Sequence, residues 1–181
     1  MLQRLLEENG EAIARKWVEL VLATYPGEAR GFLHNEGDPF ANPVGRTVRE
    51  AAPLLVEALA ADELGREASQ RLRELMRIRS VQDLTASEAV GVVPLLRRAV
   101  LDIAGPEVEA GGPGAAAELA ERTERLLLAA FEAFTESRER LYEARLHERD
   151  RHRASLMARA ERVLKEMEGS SGPEGGRMVE S

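Results

Sequence analysis

The feature that most limits the fold is the run from Ala115 to Glu168, which holds neither proline nor glycine and is built mainly of Ala, Leu, Glu and Arg. Those residues favour helix. At 1.5 Å per residue an unbroken helix of that length reaches roughly 80 Å, more than a compact domain of this size can bury. Part of it is therefore expected in a core and part in solvent. The first part carries Leu119, Leu126, Leu127, Ala130, Phe131, Phe134, Leu141 and Tyr142 on one side and is assigned to the core. The middle, His147 to Arg153, has no apolar residue. The last part regains a stripe at Leu156, Ala160, Val163, Leu164 and Met167, at spacing i, i+4, i+7, i+8, i+11. Such a face calls for a partner.

The remainder also reads as helix, because Val and Ile sit inside Ala/Leu/Glu/Arg-rich segments, aromatic residues are only 4%, and the apolar period is that of a helix. The fold class is all-α. A first helix runs from Leu2 to about Thr24 around Leu6, Ile13, Trp17, Leu20 and Val21, and Pro26-Gly27 stops it. Residues 26 to 42 read as an irregular connection, long enough to suggest a role, with Phe32 and Phe40 as buried side chains. A second helix starts near Pro43 and is expected to kink or divide at Pro53. A third spans about Asp62 to Arg79. Thr85-Ala-Ser-Glu88 has the form of a capping box opening a fourth, which Pro94 interrupts and Gly105-Pro106 ends; residues 106 to 114 then read as a turn or linker. The tail from Gly169 is low in apolar residues and reads as disordered.

Composition removes several function classes. There is no cysteine, hence no disulfide, thiolate metal site or cysteine nucleophile. The net charge of −7 argues against general nucleic-acid binding. Between Arg138 and Lys165 nine basic residues face five acidic ones, but they are interspersed at i, i+3 and i, i+4, the pattern of a solvated, charge-laced helix. No stretch is long and apolar enough to span a membrane, and no signal peptide is evident, so a cytoplasmic location is expected. His147 and His152 are five apart among arginines and His34 is alone, so neither a metal nor a haem ligand set is expected. Phosphate-loop and serine-nucleophile motifs are absent. No catalytic residue and no cofactor are assigned.

Two polar-rich stretches interrupt apolar helices. Arg77-Ile-Arg-Ser-Val-Gln-Asp-Leu-Thr-Ala-Ser-Glu88 and Glu136-Ser-Arg-Glu-Arg-Leu-Tyr142 each place arginine beside apolar residues, where it must be paired. Either is a fold-specifying network or a small-anion or partner site. Together with Trp17, Tyr25-Pro26 and Phe40-Ala-Asn-Pro-Val-Gly45, these stretches make residues 2 to 148 resemble the N-terminal domain family of the RsbT co-antagonist proteins, the RsbRD type. The resemblance implies a sensory, non-catalytic helical domain, haemless and globin-like in the better-known relatives, which is dimeric and sends a helix into a C-terminal STAS output domain. After Glu168 only the tail is expected, so the output domain, its phosphorylatable threonine and co-antagonism of RsbT are not carried over. Some members that stand alone are encoded beside redox complexes of sulfur-metabolising bacteria.

The expectation is thus a helical sensor domain over residues 1–146, a charged then amphipathic helix over 147–168, and a tail over 169–181. Its function would be to bind a ligand or partner and transmit through the last helix, in the manner of a stressosome protein. The alternative is an adaptor of a redox or sulfur-metabolism complex. Leu156, Ala160, Val163, Leu164 and Met167 would form a homodimer or a heterologous contact. A small anionic ligand would be met near Phe40, Asn42, Arg77, Arg79 and Gln82.

Overall fold

The computed structural model describes residues 1–25, 43–61, 63–82 and 84–170. Among them every regular element is helical: α1 (Leu2–Ala23), α2 (Pro43–Ala60), α3 (Arg66–Ser80), α4 (Ala86–Val90), α5 (Pro94–Ala110) and α6 (Gly112–Ser170). The chain is an all-α protein. No helix of the described residues is long and apolar enough to cross a membrane. The connection at 26–42 with Phe32, His34, Phe40 and Asn42, and the tail beyond 170, lie outside the described residues.

The chain divides into two units, Met1–Glu139 and Arg140–Ser181. In the first, α1 packs against α2 and α5, and α2 against α3. Trp17, Ile13, Leu55, Leu59, Leu75, Met76 and Leu96 are fully buried there, each at the inward position of its helical stripe. From α6, Leu119, Leu126, Ala130, Ala133 and Phe134 join the same core. In the second unit the residues of α6 from Tyr142 to Met167 are all exposed.

Local chemistry places most helix ends where the residues predict. Thr85 accepts from the Glu88 backbone N–H while the Glu88 carboxylate accepts from the Thr85 N–H at 2.8 Å, so the capping box is complete. Pro94 opens α5, where its missing N–H has no intrahelical role.

Three expectations are corrected. Pro53 does not divide α2, which runs unbroken from Pro43 to Ala60. Pro53 is exposed, while Val48, Ala51, Ala52, Leu55, Val56 and Leu59 on the opposite side are buried and hold the helix together. Nor does α5 stop at Gly105-Pro106. Ala104, two residues before that proline, leaves helical geometry (φ −133°, ψ 29°), and the helix resumes to Ala110, where burial of Ala104 and Val108 outweighs the Gly-Pro signal. Residues 106–114 are therefore largely helical, and the turn shrinks to Gly111, followed at the first residue of α6 by Gly112 at φ +72°, where a side chain would be strained. Finally, Phe131 and Tyr142 are not core residues: they are 50% and 66% exposed, because the buried face of α6 follows Leu119, Leu126, Ala130 and Phe134 and turns Phe131 aside.

Candidate functional site

The polar stretch at the end of α3 is a buried network centred on Arg79. Arg77 and Arg79 are two residues apart on one helix, so their side chains leave on nearly opposite sides, and Arg77 is exposed while Arg79 retains only 2% of its surface. The Arg79 guanidinium donates through Nε to the Ala89 carbonyl (2.8 Å), through Nη2 to the Glu88 carbonyl (3.0 Å) and through Nη1 to the Tyr25 hydroxyl (2.5 Å). It also lies over the Tyr25 ring, 5.4 Å from the centroid. Tyr25 in turn donates to Oε1 of Gln82 at 3.3 Å. Burial pulls the Arg79 pKa down, opposed by Tyr25 and Glu88.

The two carbonyls that Arg79 engages belong to α4, a five-residue helix whose last carbonyls have no intrahelical donor. Arg79 supplies those donors, and its charge complements the negative end of the helix. From the other side Trp17 Nε1 donates to the Val92 carbonyl at 2.8 Å. The corner between α4 and α5 is thus held by α1 and α3 through side chain to backbone bonds. Gly91 fits this corner because a Cβ there would stand 2.7 Å from the Ser87 carbonyl oxygen. On the exposed side of α4, hydrogen bonds from the Thr85 N–H and hydroxyl hold the Glu88 carboxyl below the usual carboxylate range.

The same device recurs twice. Arg138 of α6 donates to the carbonyl of Ser80, the last residue of α3, at 3.2 Å. Arg122 of α6, itself buried, donates to the carbonyls of Leu59 (3.0 Å) and Ala60 at the end of α2 and to that of Ala61 (3.4 Å) just beyond. Its Nη2 is bound to Glu118 at 2.5 Å. Three helix C-termini are thus closed by arginines from other helices, and no buried side-chain polar atom among the described residues lacks a partner.

Of the predicted ligand residues, the structure joins Arg79 and Gln82 through Tyr25 and leaves Arg77 on the exposed face. Phe40 and Asn42 lie outside the described residues. Arg122 and Glu118 escaped the sequence reading. The available signal was a basic residue between Leu119 and Leu126 on the buried face, with an acid four residues before it. Two clefts of about 430 and 510 Å³ lie between α1 and α2, lined among others by Leu6, Gly10, Pro53 and Val56 and by Val18, Leu22 and Ala52. No group of three or more His, Asp or Glu among the described residues could hold a metal ion. Leu156, Val163, Leu164 and Met167 are all more than half exposed, and Ala160 lies among them, also exposed.

Residues 11–149 match the model of a family described as the RsbT co-antagonist protein rsbRD N-terminal domain. The chain belongs to this family. Neither a curated protein nor a solved structure matches it. The RsbRD N-terminal domain is a regulatory family and points to signalling of the stressosome type. Its match takes in the Arg79 network, the three arginine-closed helix ends and α6 as far as Arg149. The apolar stripe from Leu156 to Met167 lies beyond it.

Proposed function

We propose that this RsbRD N-terminal domain is a non-catalytic sensor that binds a ligand or partner through its first unit and transmits through α6. The observation that carries the reading is the dual character of α6. One helix contributes Leu119, Leu126, Ala130 and Phe134 to the buried core and continues as helix into a segment whose apolar residues are exposed. A change in how the core holds α6 alters a surface that can meet another chain. Recognition would involve the stretch around Phe40, Asn42, Arg77, Arg79 and Gln82, where the exposed Arg77 suits a small anion and Arg79 ties the segment to the α4 corner.

The stripe of Leu156, Ala160, Val163, Leu164 and Met167 would be covered by a second copy of the chain. Burying several such side chains at roughly 1.5 to 3 kcal/mol each is enough to sustain a dimer. Sedimentation tests this directly. The wild-type chain should run as a dimer, and Leu156→Glu with Val163→Glu should give a helical monomer. A wild-type monomer, or a double variant of unchanged mass, would remove self-association from the reading.

A further inference from the structure

From Tyr142 the exposed side of α6 follows an alternation of four and three residues: Tyr142, Leu146, Arg149, Arg153, Leu156, Ala160, and on through Val163 to Met167. This is the seam spacing of a coiled coil, unbroken through the stretch that seemed to lack any apolar pattern, with arginine in two successive central layers. The ion pair between Arg151 and Glu148 at 2.6 Å lies off the seam. Among the described residues neither Arg149 nor Arg153 has an ion-pair partner.

Resting on the dimeric reading above, we propose that these two arginines set the direction of self-association, and that the second copy lies antiparallel with Tyr142 opposite Met167 of the partner subunit. A parallel, in-register pair would stack Arg149 on Arg149 of the partner subunit and Arg153 on Arg153 of the partner subunit, four like charges in adjacent layers of an apolar seam. It would also set Ala160 against Ala160 of the partner subunit and leave a void. Reversing one helix puts a single arginine in each of the four central layers, so none stacks on its own copy, and it removes the void. Arg149 then meets Ala160 of the partner subunit, so its long stem fills the space a small residue leaves, and Arg153 meets Leu156 of the partner subunit. Leu146 meets Val163 of the partner subunit. Beside the seam the charges also agree: Arg145 faces Glu166 of the partner subunit, and the symmetry of the pair makes this contact twice. The parallel alternative offers one flanking attraction of the same kind, Arg145 with Asp150 of the partner subunit, so the flanks cancel and the core layers decide.

The absence of cysteine gives a clean test. Leu146→Cys and Val163→Cys are made as separate full-length chains, one carrying a mass tag, and oxidised either alone or after co-expression. In the antiparallel register residue 146 sits opposite residue 163 of the other copy, while the two copies of residue 146 are displaced by about 25 Å along the axis. A disulfide needs Cα atoms within about 7 Å. The expected result is a mixed cross-linked dimer from co-expressed chains and none from either chain alone. Cross-linking of Leu146→Cys with itself would overturn the antiparallel arrangement while leaving the dimeric sensor intact. A wild-type chain that sediments as a dimer yet cross-links in neither pairing would overturn the seam as the contact. A wild-type monomer would overturn self-association and this arrangement together.

Discussion

Replacing Arg79 by methionine keeps a long apolar stem in place and removes the guanidinium. The folded protein then loses donors to the Ala89 carbonyl, the Glu88 carbonyl and the Tyr25 hydroxyl. Ala89 is fully buried, so its carbonyl has no ready access to water, whereas Glu88 is exposed and its carbonyl can be rehydrated. A buried acceptor left without a donor costs about 1 to 3 kcal/mol, and Tyr25 adds the loss of its cation contact at about 1 kcal/mol. Against this stands the desolvation of Arg79, which lowers its pKa in the fold and is relieved by the substitution. The net expectation is a loss of about 2 kcal/mol, or roughly 5 to 8 °C in the thermal midpoint of a domain of this size. Arg77→Met, on the exposed face of the same helix, should change stability by less than about 0.5 kcal/mol. Urea titration of the two variants side by side measures the difference. In hydrogen exchange Arg79→Met should lose protection first at residues 86–93, the corner that Arg79 and Trp17 secure. Equal stability of the two variants, or protection lost evenly along the chain, would refute the clamp.

Arg122→Met should cost about 3 kcal/mol in urea titration, because it strips donors from the α2 terminus at a buried position, whereas Glu118→Gln should cost under about 1 kcal/mol, since Glu118 is part-exposed and its partner keeps the carbonyls. Glu88 has its pKa lowered in the fold, so the stability it contributes is present above the ordinary carboxyl value of 4.5 and fades as pH falls through the lower folded value; a Glu88→Gln variant, still able to cap, should match the wild type in thermal melts at acid pH and fall below it near neutrality. Titration with phosphate or sulfate should raise the thermal midpoint of the wild type more than that of Arg77→Ala; equal shifts would move anion recognition away from α3.

Helix positions were legible because their ends carry side-chain chemistry. Thr85 and Glu88 announce a capping box, Pro94 a break, which the structure turns into the first turn of a separate helix, and Pro26 a stop. The arginine clamps were half legible. Arg79 and Arg138 attract notice as charges within apolar segments, but their acceptors are backbone carbonyls, and a carbonyl leaves no trace in the identity of the residue that bears it. That is why neither Ala89 nor Ser80 could be named, and why Arg122 went unread although Leu119 and Leu126 bracket it. Punctuation was overrated at 105–114, where the burial of Val108 and Ala115 prevails over two glycine-rich turns' worth of signal. Phe131 was misassigned for a related reason: apolarity fixes the cost of exposure but not the side of the helix, and the buried face that runs through Leu119, Leu126, Ala130 and Ala133 has Phe134 at its edge and Phe131 beyond it.

The placement of the clamps bears on how a signal could travel. Arg122 and Arg138 both sit on α6, and they grip the ends of two different helices, α2 and α3. A slide of α6 by one helical turn, about 5.4 Å, would carry both guanidiniums out of hydrogen-bond reach at once. Each such loss leaves buried carbonyls without donors, so small excursions are opposed at two points along the helix rather than one. The Arg79 clamp differs, since it ties α3 to the α4 corner, and the hydrogen bond nearest to it that reaches α6 is the one on the Ser80 carbonyl, one residue later. On the proposed reading, a perturbation of the Tyr25, Arg79 and Gln82 group would act on α6 through the end of α3 on which Arg138 is anchored, with the Arg122 grip on α2 as the pivot. On the proposed sensor reading, transmission would then be a tilt or twist of α6 about Arg122 and not a slide, and the seam from Tyr142 onward would be the part of the helix on which such a rotation is read.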